Sequence, residues 1–357
     1  MKKKILISTG GTGGHVIPAS IFFEHLKNDF DVYYMSDERG VKFLDIKKEK
    51  IKIINTPNLK KNIFLLPFNI FLILFLTIKS FFFIKKNKIQ ILISTGGYMS
   101  LPICISAKIL NLKIYLFEPN MVIGRANLFY IKFSKKIFCY TYNIKNLPKK
   151  YFNKIILINS LLRKKFYSVK INDKKIFDEL RLLIVGGSQG AKFFDENIKD
   201  VVFNLSQKYK IKVYQQGNDK NFQNLKNFYS SKKINHEIFD FDENISKYIL
   251  DSNLCITRAG ASTLSELTFL NIPYLAIPYP FAKDNHQYEN ALFYKNNNCC
   301  WMIEQKDIRQ KNFYEIISNM LVDKTDLQLK KKAMRDFSSK NTWEINNKII
   351  KETIYEN

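Results

Sequence analysis

Acidic side chains are scarce in this chain of 357 residues: 32 Asp and Glu stand against 57 Lys and Arg, a net charge of +25. Such an imbalance favours an anionic partner. Lys, Ile, Asn and Phe are favoured together, however, a compositional drift that spreads lysines over a surface without a ligand behind each. A preference for anionic lipid or phosphate survives that discount. Cysteine is also sparse. Cys104, Cys139, Cys255, Cys299 and Cys300 include no C-x-x-C pair and no histidine at zinc-ligand spacing. An odd count with two adjacent cysteines is a poor disulfide framework, so a reducing compartment is expected. The basic start, Met1-Lys2-Lys3-Lys4-Ile5, leads into too short an apolar run for a secretion signal, and a cytoplasmic chain is expected. There is no low-complexity tract and no repeat of solenoid period. Phe and Tyr fall in strand and core patterns rather than an RNP-like motif, which argues against nucleic acid as a partner.

What is present is alternation. Short β-rich apolar runs exchange with helical stretches throughout, the pattern of parallel α/β layers. Strands are expected at Lys4–Ser8, Val32–Ser36, Ile89–Thr95, Lys113–Glu118, Ile137–Tyr140 and Ile155–Asn159. After the charged stretch Leu162–Glu179 they resume at Arg181–Gly186, Ile211–Gln215, Glu237–Phe241, Leu254–Thr257 and Tyr274–Ile277. The length exceeds what one core usually supports. Two doubly wound domains are expected, residues 1–162 and 163–340, with a final helix over 341–357 packing back on the first.

Phe64–Ile84 is a long apolar run flanked by Lys60-Lys61 and Lys85-Lys86. It is just long enough to span a bilayer. Pro67, Asn69, Thr77, Lys79 and Ser80 interrupt it, and a charge at mid-membrane is costly. Asn69, Thr77, Lys79 and Ser80 share one arc of a helical wheel. A helix with one face on its domain and the other among lipid headgroups is therefore expected over 64–86, with a core helix and a true span as alternatives.

Three strand–glycine–helix junctions carry the chemistry. Ser8-Thr9-Gly10-Gly11-Thr12-Gly13-Gly14-His15 follows the first strand, where glycine permits close backbone approach and a helix start offers free N–H groups to an anion. The G-x-G-x-x-G spacing of a dinucleotide site is absent, and Asp37 is only roughly in range as a ribose-binding acid, so a dehydrogenase is disfavoured. Gly186-Gly187-Ser188-Gln189-Gly190-Ala191 repeats the junction and suits a diphosphate. Thr257-Arg258-Ala259-Gly260-Ala261-Ser262-Thr263-Leu264-Ser265-Glu266 is the third: Ser262 and Thr263 can cap its helix, and Glu266 can accept from ribose hydroxyls or merely face the helix dipole. Asp284-Asn285-His286-Gln287 can grip sugar hydroxyls or start a helix. Asp240-Phe241-Asp242 has the form of a D-x-D metal motif but lies in an acidic run that reads as solvated loop. His25 and His236 have no partner pattern.

Together with Gly96-Gly97-Tyr98 and Glu118-Pro119-Asn120, these turns occur in an order and spacing that resembles the MurG-like enzymes, over residues 4 to 305. The resemblance implies a GT-B fold, two Rossmann-like doubly wound parallel-sheet α/β domains facing across a cleft. It implies an inverting transferase that moves GlcNAc from UDP-GlcNAc to lipid I, making lipid II on the inner face of the cytoplasmic membrane, with no cofactor or chelated metal. By the same resemblance Ser188, Gln189 and Gly190 would meet the donor diphosphate, the Ile245 backbone the uracil, and Glu266 the ribose. Ala261, Ser262, Thr263, Leu264 and Ser265, with His286 and Gln287, would hold the GlcNAc and phosphates, and Arg163 would be a further donor contact. Gly11, Thr12, Gly13 and Gly14 would cradle the lipid diphosphate, with Tyr98, Glu118 and Asn120 lining the acceptor site. The family's usual Gly-Asn-Pro-Val-Arg appears here as Asn159-Ser160-Leu161-Leu162-Arg163.

Transfer to a hydroxyl needs a base and stabilisation of the departing diphosphate. His15 is the candidate base, with a loop-capping role as its alternative. Glu118 is the second candidate, its alternative a structural carboxylate bonded to loop amides. Arg163 and Arg258 are candidates for the departing charge. A diacylglycerol glycosyltransferase, a UDP-GlcNAc 2-epimerase and a non-catalytic membrane-recruiting subunit are the competing readings.

Overall fold

The computed structural model describes residues 2–11, 13–41, 50–57, 66–169, 179–217, 221–240, 245–308 and 310–356. The side chains of residues 188–191 and 310–312 also fall outside the description. The chain divides into two compact units, Met1–Ser168 with Asn341–Asn357, and Val169–Lys340. Arg163, read above as opening the second domain, therefore belongs to the first unit.

The first unit is built on seven parallel strands: β1 (Lys4–Ser8), β2 (Asp31–Ser36), β3 (Ile51–Ile53), β4 (Ile91–Ser94), β5 (Lys113–Glu118), β6 (Lys136–Cys139) and β7 (Ile155–Leu157). Their spatial order is β3-β2-β1-β4-β5-β6-β7. The chain works outward from β1 to β3, then returns to β4 on the other side of β1. That reversal opens a crevice at the carboxyl ends of β1 and β4, where ligands of such sheets bind. Successive strand residues face opposite sides. Ile5 and Ile7 pack with the Gly13–Leu26 helix residues Val16, Phe22 and Leu26. Leu6 packs on the other side with Leu76, Ile84, Ile103 and Ala107.

The second unit repeats the scheme with β8 (Leu180–Val185), β9 (Ile211–Gln216), β10 (Asn235–Phe239), β11 (Leu254–Thr257), β12 (Tyr274–Ala276) and β13 (Trp301–Met302). The order is β10-β9-β8-β11-β12-β13. β10 begins and ends two residues before its expected position. β3 and β13, the two strands that the sequence did not suggest, are three and two residues long and lie at sheet edges. Runs that short show no periodicity.

The long apolar segment forms the Leu66–Asn87 helix, whose length and composition would suffice to cross a membrane. The expected polar arc is not one solvent face. Thr77 and Ser80 lie in the buried stripe with Ile73, Leu76 and Ile84. Their hydroxyls donate to the Ile73 and Leu76 carbonyls of their own helix, both at 2.8 Å. Small side chains satisfied in this way let a neighbouring helix approach closely, and the Ser106 hydroxyl of the Leu101–Ile109 helix donates to the Thr77 carbonyl at 2.7 Å. The outward face is apolar: Phe68, Phe71, Leu74, Phe75, Ile78 and Phe82 are exposed, Phe71 by 67%.

The Trp343–Glu356 helix belongs to the first unit and adds Ile350 and Ile354 to its core. His25 stacks on Trp343 with ring centroids 3.7 Å apart and bonds Asn347 Oδ1 at 3.2 Å. Burial pushes the His25 imidazole down to about 4, against a smaller upward pull from the Asn347 hydrogen bond. Its folded value lies below its unfolded one, so the stabilisation is complete above pH 6.5 and is lost as pH falls toward 4. We expect this histidine to remove up to about 3 kcal/mol of unfolding free energy across that window. Urea titrations from pH 7 to 4 should show a shallower decline in His25→Gln than in the unaltered chain; parallel declines would refute the assignment.

Candidate active site

In the first unit the functional side chains gather at the carboxyl ends of β1, β4 and β5. His15 sits in the first turn of the helix that follows β1, and its Nδ1 lies 2.7 Å from the Thr95 carbonyl just after β4. A carbonyl can only accept, so Nδ1 carries the proton and the neutral ring presents a lone pair at Nε2. A side chain on Gly97 would meet that Nε2 at 3.5 Å, so glycine there leaves its approach open.

The glycine turn is held from below. The buried Asp37, just beyond β2, accepts the N–H of Gly11 and that of Gly40, each at 2.9 Å. Arg39 completes the shell, with Nη2 at 2.8 Å from Asp37 Oδ2. Burial alone would raise the Asp37 carboxyl; the two amides and the guanidinium outweigh it and hold the group below its ordinary value. Asp37 is thus spent on the protein's own backbone rather than free for a ribose. The same bond removes the Gly11 amide from the set read above as a phosphate cradle, leaving Gly13 and Gly14 at the helix start; Thr12 lies outside the described residues.

Glu118, at the end of β5, is 2% exposed. One oxygen accepts from the Asn120 amide and side chain at 3.2 and 2.9 Å. The other accepts from the Gly124 amide at 2.7 Å and Asn127 Nδ2 at 2.9 Å. A carboxylate with four donors is an organiser of the 119–127 loop; taking a proton from substrate would require displacing them. The geometry therefore favours the structural reading of Glu118 over the basic one. Asn127, which the sequence did not single out, also donates to the Phe117 carbonyl at 2.9 Å. Tyr98 is exposed and accepts from Arg39 at 3.1 Å.

The second unit matches the first. Gly187 opens the helix after β8 with φ +65°, as Gly11 has φ +86°, a region that favours glycine. Gln216, at the end of β9, accepts the Gly187 N–H at 2.9 Å, the counterpart of the Asp37 bond. The latch is neutral here and charged in the first unit. Ser188, Gln189 and Gly190 follow within the Gly187–Asn197 helix, their side chains undescribed. Ile245 begins the Ile245–Asp251 helix. Residues 241–244, and with them most of the D-x-D run, lie outside the described residues.

After β11, Gly260 occupies the N-cap of the Ala261–Phe269 helix and makes no side-chain cap. Ser262 and Thr263 are first-turn residues, not the caps that they resembled. The first-turn amides of Ala261, Ser262 and Thr263 precede the first amide bonded within the helix, Leu264 to Gly260 at 3.0 Å. Leu264 and Ser265 point inward: Leu264 is fully buried, and the Ser265 hydroxyl contacts the Ala261 carbonyl and Tyr294 at 2.8 and 2.9 Å. Neither side chain is presented to a sugar. Glu266 is buried one turn further on.

Gln287 Oε1 accepts the N–H groups of Ala259 and Tyr279 at 3.1 and 3.0 Å, tying together the loops beyond β11 and β12. His286 Nδ1 donates to the Lys283 carbonyl at 2.7 Å. Arg258 is 5% exposed and donates to the carbonyls of Ile277 and Pro278, each at 3.2 Å, and to Gln305 at 2.7 Å. Burial lowers its guanidinium to about 10. This arginine organises the strand ends and does not reach out to a departing diphosphate. Arg163 lies in the first unit, its guanidinium 5.8 Å from the Phe166 ring.

We expect Glu118→Ala to cost about 2–4 kcal/mol by leaving several buried donors unmatched. Urea unfolding measures it; a variant as stable as the unaltered chain but without turnover would return Glu118 to the role of base.

The fold agrees with comparison to known proteins. Residues 5–139 match the Glycosyltransferase family 28 N-terminal domain and residues 181–344 the Glycosyltransferase family 28 C-terminal domain. A protein of Pelagibacter ubique named UDP-N-acetylglucosamine--N-acetylmuramyl-(pentapeptide) pyrophosphoryl-undecaprenol N-acetylglucosamine transferase is 51% identical, covering 98% of each chain. A protein of the same name from Rickettsia bellii is 34% identical over 89% of this chain and 91% of its own. The crystal structure of Acinetobacter baumannii MurG superposes with a TM-score of 0.74 at 21% identity, covering 99% of this chain and 100% of that one. With both halves matched in order and a half-identical relative of the same extent, the chain belongs to glycosyltransferase family 28.

Proposed function

We propose that this chain is an inverting transferase that moves N-acetylglucosamine from UDP-N-acetylglucosamine to the muramyl sugar of a pyrophosphoryl-undecaprenol acceptor, converting lipid I to lipid II. The observation that carries the reading is the half-identical, full-length relative named for that reaction. Two amide-rich helix starts at the carboxyl edge of the second sheet, at Gly187 and at Ala261, support it. Bare amides and a helix dipole favour an anion.

In this reading the second unit holds the donor. Amides after Gly187 and those of Ala261–Thr263 receive the diphosphate, Glu266 the ribose, the Ile245 backbone the uracil, and His286 with the Gln287 amide nitrogen the sugar. The first unit holds the acceptor, with Gly13, Gly14, Tyr98 and Asn120 as contacts. His15 Nε2 takes the proton from the acceptor hydroxyl as its oxygen forms the bond to the anomeric carbon and the bond to the UDP oxygen breaks. The Thr95 carbonyl, already bonded to Nδ1–H, steadies the imidazolium that results. The product feeds peptidoglycan synthesis and so cell shape and division.

Incubation with radiolabelled UDP-N-acetylglucosamine and lipid I, followed by lipid extraction, tests both the reaction and the base. Label should enter the lipid, and His15→Ala should lower kcat by about 10²–10⁴-fold with little change in donor binding. No lipid label from the unaltered chain would sink the reading; label only with UDP-glucose and diacylglycerol would favour the alternative lipid acceptor.

We further propose that the exposed apolar face of the Leu66–Asn87 helix, with Lys79, Lys85 and Lys86 beside it, seats the first unit on the anionic cytoplasmic face of the cell membrane. Aromatic rows ringed by lysine suit the headgroup region. Phe68→Ser combined with Phe71→Ser should weaken co-sedimentation with phosphatidylglycerol vesicles about tenfold or more, as expected for two lost aromatic contacts. Equal sedimentation of the double variant would overturn the placement.

A further inference from the structure

The Asp37 latch leaves an electrostatic problem at the rim of the first unit. A buried carboxylate bonds the Gly11 amide, immediately before the helix start that an anionic acceptor would approach. An unbalanced negative charge there would oppose a phosphate. Glu38, exposed and bonded to Asn55 at 3.0 Å, adds another.

Arg39 is placed to offset the Asp37 charge and to present a cation at the rim. Its Nε donates to Asp37 Oδ2 at 3.0 Å and its Nη2 contacts the same oxygen at 2.8 Å. Nη2 also donates to the Tyr98 hydroxyl at 3.1 Å. One edge of the planar fork is therefore clamped between the loop after β2 and the segment after β4. Among the described residues Nη1 has no hydrogen-bond acceptor, and the side chain is 62% exposed against 5% for Asp37. Asp37 Oδ1 is held by two amides, and a side chain on Gly40 would fall 2.2 Å from Ser36 Oγ, so only glycine lets the turn close this tightly on Asp37. His15 makes a second tie to the segment after β4, from the first turn of the helix after β1 to the Thr95 carbonyl. An exposed guanidinium held at one edge, with its other edge toward solvent beside a helix start, is a receptor for a planar or tetrahedral oxyanion.

We propose that Arg39 is an acceptor-binding residue: its Nη1 edge takes a diphosphate oxygen of the acceptor, while Asp37 and Tyr98 hold the guanidinium in position. The assignment rests on the reading that the first unit binds a diphosphate-linked acceptor, and it accounts for why the latch in this unit is a charged Asp37 where the second unit uses the neutral Gln216. Asp37 orients the arginine as well as the glycine turn; among the described residues Gln216 holds the glycine turn and no arginine.

The test is steady-state kinetics of the full chain with a short-chain, water-soluble diphosphate-linked muramyl-pentapeptide acceptor. Arg39→Gln should raise the acceptor KM about tenfold or more, the loss of one charge-assisted contact. Its kcat and its KM for UDP-N-acetylglucosamine should stay near those of the unaltered chain. Arg39→Lys keeps the pair with Asp37 but loses the second edge, so it should show a smaller rise, and it serves if the Gln variant does not fold. Inorganic pyrophosphate should compete with the acceptor in the unaltered chain and do so less well in either variant. An acceptor KM that does not move, or two KM values that rise together with a lower melting temperature, would mean that Arg39 only props the loop, and the proposal fails. Should the unaltered chain label no acceptor at all, the underlying reading falls and takes this assignment with it.

Discussion

Both units depend on one hydrogen bond of the same kind. At the carboxyl end of the second strand a buried side chain accepts the amide of a left-handed glycine in the turn after the first strand: Asp37 from Gly11, Gln216 from Gly187. A glycine turn that carries free amides is by nature loose, since glycine loses the most conformational freedom on folding. Tying one amide to the neighbouring strand end fixes the turn and aims the amides that follow. The rest of each site is arranged around that fixed point, the helix start on one side and the returning strand on the other.

The same economy explains which candidate residues are inward-facing. Glu118, Gln287 and Arg258 carry polar groups that would suit a substrate, and each bonds to the protein's own loops, while Ser265 bonds within its own helix and to Tyr294. Loops at a sheet edge expose many backbone N–H and C=O groups, which must be matched when buried. Side chains of this kind match them, holding the loops in place so that helix-start amides, the half-buried His15 and the exposed Arg39 are left for other partners. Where a relative of the same family is known to act on a nucleotide sugar, this division between loop-holding and outward groups is a more useful guide to variants than polarity alone.

The apolar helix follows a related logic. Its buried stripe includes Thr77 and Ser80 beside Ile73, Leu76 and Ile84 because small hydroxyl residues pack tightly and satisfy themselves on their own backbone, whereas Phe68, Phe71, Leu74, Phe75 and Phe82 are left outside. Polarity by itself puts Thr77 and Ser80 on one side with Lys79, whereas the two hydroxyl residues are buried and Lys79 is exposed. The correct assignment needs the neighbouring Leu101–Ile109 helix, whose Ser106 hydroxyl reaches the Thr77 carbonyl.

The sequence by itself determined the fold class, most strands of both sheets and the three glycine junctions, because strand alternation and strand–glycine–helix order are local properties that a linear pattern records. β1, β5 and β11 lie where alternation places them. The ordered turns likewise marked out the family. Only the tertiary structure decided that Asp37 holds Gly11, Gln216 holds Gly187 and Arg39 reaches Tyr98, since these bonds join distant segments that no spacing rule links, and it chose between the two roles that the sequence left open for Glu118. The two-residue β13, the membership of Arg163 in the first unit and the inward side of the Leu66–Asn87 helix were equally out of reach. A chain pattern states which residues can be buried; what they are buried against is settled when distant segments meet.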